Sequence, residues 1–264
     1  MPSVLLGNDD GIYAPGLHAL ADAFWADGWR VSICAPDGER SGASHSIVIG
    51  RPIIAARVEL DRLEKVAAWK CDGKPGDCVK LALLELCEER PDLVVAGVND
   101  GWNVGSDIHY SGTFGAAMEA AFEGVPAMAV SARYPDTARY RYAAALAVRL
   151  AGPLLESRLP MPSVLNVNVP DCAADRIRGV VEAPLTHIRY TDAYDKMERP
   201  PRRAAYWLRG DIIKEGCLPG GDLDCLLKGF VTVTAVGWDM TVRDMCGGIL
   251  RNGGSGAEDM IDRE

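Results

Sequence analysis

The chain lacks any apolar run approaching the roughly 18–20 residues a membrane span needs, although 48% of its 264 residues are hydrophobic. It also lacks a basic n-region ahead of an apolar h-region, since a strand-like run begins within three residues of Met1. These absences predict a soluble, cytoplasmic protein with no membrane partner. No long lysine or arginine run offsets the formal net charge of −9, which argues against a nucleic-acid polymer as main partner. The four histidines, His18, His45, His109 and His187, include no H-x-x-x-H pair. None of the eight cysteines falls in a C-x-x-C pair, and most sit in apolar segments such as "VSICAP" and "LALLELCEE". That predicts free, mostly buried thiols in a reducing compartment rather than a disulfide or zinc framework. Also missing are G-x-G-x-x-G, G-x-x-x-x-G-K-[ST] and G-x-S-x-G. Their absence removes a dinucleotide fingerprint, a P-loop and a nucleophile elbow.

What is present in the first two thirds alternates between strand-like and helix-like patterns. "SVLLGN" (3–8) is a short apolar run, and Leu17, Leu20, Ala21, Phe24 and Trp25 then follow helical spacing behind Pro15 and Gly16. Strands are expected at 29–36, 91–100, 126–133 and 163–170, and helices at 77–90, 112–124 and 138–150. Residues 46–73 read as two or three strands of an antiparallel excursion. That order predicts an α/β fold with a doubly wound, mostly parallel sheet. The final third predicts strands and turns, with little helix until about 241–250. Residues 186–202 read as an excursion or mobile loop and the last residues, about 252–264, as a flexible tail. One domain spans 1–264, with a β-rich extension over about 170–240.

In such sheets ligands bind beyond the carboxyl ends of the strands, at a switch in strand order. Three successive strand ends carry hard oxygen donors and glycine: Asn8, Asp9, Asp10 and Gly11; then Asp37, Ser41, Gly42 and Ser44; then Asn99, Asp100, Gly101 and Asn103. A donor set of this kind suits a hard divalent cation, magnesium or manganese, rather than zinc. The competing reading of Asp9 and Asp10 is a solvated Asx-type turn, with Gly11 supplying a positive φ. The start of "SGTFGAAMEAAFEG", with Ser111 or Thr113 as N-cap and Gly112 behind it, is either an ordinary capped helix or an anion site. A cation beside a phosphate cradle suggests phosphoryl hydrolysis. "NDDG" is no aspartyl-phosphate motif of the D-x-D-G-T kind, because Asn8 would stand at the nucleophile position.

Four segments, "NDDGIYAPGLHAL", "APDGERSGASHS", "GVNDGWNVGSDIHYSGTFGAAMEA" and "VLNVNVP", together resemble the survival-protein SurE family of nucleotide phosphatases. The likeness runs through most of 3–170 and continues more thinly in "GGDLDCLLKGFVTVTAV". The resemblance implies a Rossmann-like core and one divalent cation per subunit, held by Asp9, Asp10, Ser41 and Asn99. It implies an anion near Asn103, Ser111, Gly112 and Thr113, and a metal-bound water as nucleophile with no side-chain acid or base assigned. The implied activity is hydrolysis of nucleoside 5′- and 3′-monophosphates, with polyphosphate shortening in some members. It further implies homodimers or homotetramers joined through C-terminal segments. Gly7 stands where serine or threonine is expected, "GSD" (105–107) replaces "GDD", "GGD" (220–222) replaces "GTD", and the likeness around 187–195 is slight. Two rival readings use the same residues: a non-catalytic nucleotide-binding regulatory module, and a phosphatase for non-nucleotide phosphomonoesters.

Overall fold

The computed structural model describes residues 1–241 except 62, 64–65, 134–135, 158, 161 and 200–202. The tail over 252–264 and almost all of the helix expected at 241–250 lie outside the described residues. Alternating strands and helices run in the expected order: β1 (Ser3–Gly7), α1 (Pro15–Ala26), β2 (Arg30–Pro36), β3 (Ala55–Val58), β4 (Ala67–Cys71) and α2 (Pro75–Leu81). They continue as β5 (Leu93–Asp100), α3 (Gly112–Phe122), β6 (Ala127–Ala132), α4 (Thr137–Glu156), β7 (Ser163–Val169) and β8 (Val180–Glu182). Last come β9 (Ala193–Arg199), β10 (Arg203–Arg209), α5 (Asp222–Leu227) and β11 (Val231–Gly237).

Nine strands form one sheet in the order β3-β4-β2-β1-β5-β6-β7-β11-β8. The block from β4 to β7 is wholly parallel, with antiparallel pairs at β3–β4 and β11–β7. This is the doubly wound, Rossmann-like α/β sheet the pattern predicts. Both faces are covered. Val4 and Leu6 of β1 point into a core shared with α1 and α4, including Leu20, Phe24, Val95 and Leu146. Leu5, between them, points into a second core under α2 and α3 with Val79, Val94, Ala117 and Met118. Strands buried on both faces explain the continuous apolar runs. After β1 the chain builds outward through β2 and β4, then returns to place β5 on the other flank of β1. The switch in strand order therefore falls between β1 and β5, whose carboxyl ends bear the acidic loops.

Five details of these expectations are refined or corrected. β4 is not part of a detached antiparallel excursion but a parallel strand of the main sheet, paired with β2. Residues 46–54 form no strand, so the region holds two strands. The helix expected over 77–90 ends early: α2 passes into a single wide π turn, Ala82–Leu86, and Cys87 is extended. The segment read as an excursion or mobile loop at 186–202 contains β9, which pairs antiparallel with β10 in a separate hairpin. The short helix α5 occupies the glycine-rich stretch read as turns.

Candidate active site

The adjacent aspartates in the loop after β1 are freed from turn-making by Asn8. Its Nδ2 donates to the Gly11 carbonyl (2.9 Å) and its Oδ1 accepts the Gly11 N–H (3.2 Å), closing an Asx-type turn. Gly11 sits at φ 104°, and a Cβ there would stand 3.1 Å from the Gly38 backbone. The first two loops thus touch backbone to backbone. They are stitched together where the Arg40 N–H donates to the Asp9 carbonyl (2.7 Å), and the Ile12 N–H to the Pro36 carbonyl (2.9 Å).

Asp9 is nearly buried and faces the start of α3. The Thr113 hydroxyl donates to Asp9 Oδ1 and lies 3.3 Å from Asn99 Oδ1. The backbone N–H groups of Gly112 and Thr113 also support the Asp9 carboxylate. Burial raises the Asp9 carboxyl above its ordinary range, and these hydrogen bonds only partly oppose it. A Cβ on Gly112 would stand 2.9 Å from Asp9 Cβ and Oδ2, so this glycine is required by close approach. Ser111, not Thr113, caps α3, its Oγ accepting the Phe114 N–H at 2.9 Å.

Asn99 is aimed by a register shift in β5 between Ala96 and Asn99. Its Nδ2 donates to the Gly101 carbonyl (2.8 Å), which turns Oδ1 toward Thr113. Asp10 accepts the Asp100 N–H and is pushed up to about 7, first by burial and then by the charges of Asp9, Asp100 and Glu39. Ser41 is exposed on the neighbouring loop, with its hydroxyl donating to Glu39 Oε1 (2.8 Å).

Asp9, Ser41, Asn99, Asn103 and Ser111 line a cleft of about 1100 Å³ on the sheet edge, whereas Asp10, Gly112 and Thr113 lie behind its lining. Its outer wall includes His109, His187, Arg189, Tyr190 and Arg209. "VLNVNVP" serves this cleft from behind. Asn168 accepts the Asn103 N–H (2.8 Å), while Asn166 and Asn168 both donate to the Asn103 carbonyl (2.8 and 3.0 Å). Asn103 Nδ2 donates to Ser131 (2.8 Å). Residues without a motif signal complete the frame. Glu119 of α3 binds His45 Nε2 (2.7 Å) and Lys80 Nζ (2.6 Å), which braces the loop beyond Ser41. The Asp107 carboxylate accepts the Tyr190 hydroxyl across the cleft.

A parallel, doubly wound α/β protein with an acidic, oxygen-lined cleft at its switch point is the class that this fold and site define. The chain belongs to the SurE family, whose model, described as survival protein SurE, matches residues 4–192. It is 39% identical over 240 residues to the 5′-nucleotidase SurE of Synechococcus sp. (strain JA-3-3Ab), covering 90% of this chain and 93% of that protein. It is 38% identical over 269 residues to the 5′-nucleotidase SurE of Heliobacterium modesticaldum (strain ATCC 51547 / Ice1), covering 98% and 95%. The crystal structure of the SurE protein from Aquifex aeolicus superposes with a TM-score of 0.78 at 31% identity, covering 96% of this chain and all of that one. Among the described residues, no helix is long and apolar enough to cross a membrane.

Proposed function

We propose that this protein is a divalent-cation-dependent phosphomonoesterase that hydrolyses nucleoside 5′- and 3′-monophosphates, with terminal polyphosphate as a further substrate. The observation that carries this reading is the pair of adjacent, desolvated carboxylates Asp9 and Asp10 at the sheet edge, with Thr113 linking Asp9 to Asn99. Buried like charges left uncompensated are costly, and hard oxygen donors suit magnesium or manganese. Asp9, Asp10, Ser41 and Asn99 would hold one such ion. Bound there, it would polarise the phosphate oxygens and lower the pKa of water.

The chain's own residues then divide the remaining work. Asn103, held by Asn168 and Ser131, presents its side chain to the cleft. It would orient the phosphate together with the Ser111 hydroxyl, whereas the N–H groups of Gly112 and Thr113 are engaged by Asp9 and so position the cation donors. The Thr113 hydroxyl is spent on Asp9 and Asn99, so its role is to position the cation donors. His109 and His187 are the side chains on the cleft wall able to move a proton to a leaving alkoxide. A cleft of about 1100 Å³ leaves room for a nucleoside beyond the phosphate.

The decisive test is phosphate release from 5′- and 3′-nucleoside monophosphates, sugar phosphates and polyphosphate, each with magnesium, manganese or EDTA. Nucleotide turnover with cation and none in EDTA is expected. Tight nucleotide binding without release, or a preference for sugar phosphates, would sink the assignment. The Gly112→Ala variant adds a check on geometry. Its Cβ must displace Asp9 or α3, and a loss of about 10–100-fold in kcat is expected with a stability cost near 1–3 kcal/mol. Activity equal to wild type would show that Asp9 needs no such approach.

We also assign the protein to the cytosol and to homodimers or homotetramers. The β9–β10 hairpin supports the latter, since Tyr194, Tyr206, Trp207 and Leu208 are all exposed on it.

A further inference from the structure

Far from any C-x-x-C spacing, three cysteines meet inside the molecule. Cys34 comes from β2, Cys71 from the end of β4 and Cys78 from α2. All three are buried, and their sulfurs lie within 4.8 Å of one another, with Cys34 and Cys71 at 3.5 Å. The other described cysteines are half-buried. A lone buried thiol behaves as a small apolar side chain, but these three meet one another inside a shell that includes Leu5, Val79, Ala82, Val94 and Ala96.

A direct disulfide does not suit the frame. In the β2–β4 register Cys34 is opposite Trp69, and Cys71 is opposite Pro36, an offset of two positions. A strand spacing of about 4.8 Å combined with an offset of two residues at about 3.3 Å each puts the two Cα atoms about 8 Å apart, beyond the usual disulfide span. A bridging atom reaches where an S–S bond does not.

We propose that Cys34, Cys71 and Cys78 form a three-coordinate thiolate site for a soft monovalent cation, Cu(I). Thiolate ligands select soft metals. Zinc wants four ligands in a closed site, and among the described residues no fourth Cys, His, Asp or Glu joins the group. The charged groups that face the trio are carboxylates: Asp72 and Asp37 near Cys71, and Asp77 near Cys78. Ligation releases to solvent the proton of each thiol that binds as thiolate. The Cys71 carbonyl accepts the Asp37 N–H (2.8 Å), so the site lies directly beneath the loop that carries Ser41. The inference stands apart from the nucleotidase reading.

The test titrates reduced, metal-free, full-length protein with Cu(I) under anaerobic conditions, against a chromophoric Cu(I) chelator. One ion per chain is expected to be withheld from the chelator, with three sulfur neighbours in X-ray absorption and a raised Tm. Cys71→Ser should lose affinity by more than the roughly 10–100-fold that an outer partner costs, together with the Tm rise. Cys172→Ser should keep both. Wild type that yields Cu(I) as readily as Cys71→Ser, or that retains Zn2+ more tightly than Cu(I), overturns the proposal. If Cys71→Ser fails to fold, the sulfur count in loaded wild type decides alone, and fewer than three neighbours rejects the site.

Discussion

The Asp10→Asn variant is expected to lose at least about a hundredfold in manganese-supported phosphate release, while folding at least as well as the parent without metal. The substitution removes a charge and almost no volume. In the metal-free protein the Asp10 carboxyl is raised from 3.8 to about 7, by burial first and by Asp9 second. Between those values the folded protein holds a proton that the unfolded chain has released. The stability this group contributes is therefore fully present below about pH 4 and is lost as pH rises through about 7. Asparagine has no such titration. In EDTA the variant should melt above wild type at pH 8, and the gap should narrow toward pH 5. Saturating manganese should reverse the order, because wild type binds the ion more tightly. Unchanged phosphate release, or a melting difference that does not vary with pH, would remove Asp10 from the cation site.

A second large effect is expected far from the phosphate. Asp222, at the start of α5, is fully buried. It accepts the Gly105 N–H (2.6 Å), the Thr186 N–H (3.2 Å), the Thr186 hydroxyl (2.7 Å) and the Leu223 N–H (2.8 Å). One carboxylate thus ties the loop after β5 to the chain at 186 and to α5, and both tied segments border the cleft. Asp222→Ala would leave buried donors unpaired, at a cost of about 3 kcal/mol or more. Activity should fall about tenfold even where the variant remains folded, because residues 103–110 lose their anchor. Asp222→Asn should be intermediate in chemical denaturation, since one amide oxygen keeps some donors while its NH2 opposes another. Equal stability of all three proteins would show that the loop is anchored elsewhere.

The hydrogen bonds of Asp222 explain why "GGD" carries only a thin resemblance and still matters: its aspartate does structural work that a glycine-rich stretch does not advertise. Elsewhere the reading of the sequence succeeded where one physical signal dominated. β1, β5 and β6 are buried on both faces, so their apolar runs are continuous. α1 shows helical spacing because only one face reaches the core. The segment holding β10 reads as strand and turn, but β9 gave no such signal, since Tyr194 and Met197 on it are exposed. The early end of α2 was invisible because the apolar pattern of "LALLEL" continues through the π turn.

The candidate site divides in the same way. Strand order and hard-oxygen residue types put Asp9, Asp10, Ser41 and Asn99 on one sheet edge, because in a parallel sheet all carboxyl ends share a side. Sequence could not say that Asn8 makes the turn, that Ser111 caps α3 while Thr113 turns to Asp9, or that "VLNVNVP" clamps Asn103. Each depends on which partner a polar group meets once buried, and local spacing holds no record of that.

The sequence by itself determined the layered α/β architecture and which loops carry oxygen donors, because burial periodicity and strand order are local and additive. Only the tertiary structure decided which donors are free, which are spent on one another, and that three cysteines from separate elements share a single pocket of the core. Those outcomes turn on distances between residues as much as 117 positions apart in the chain, and folding alone sets such distances.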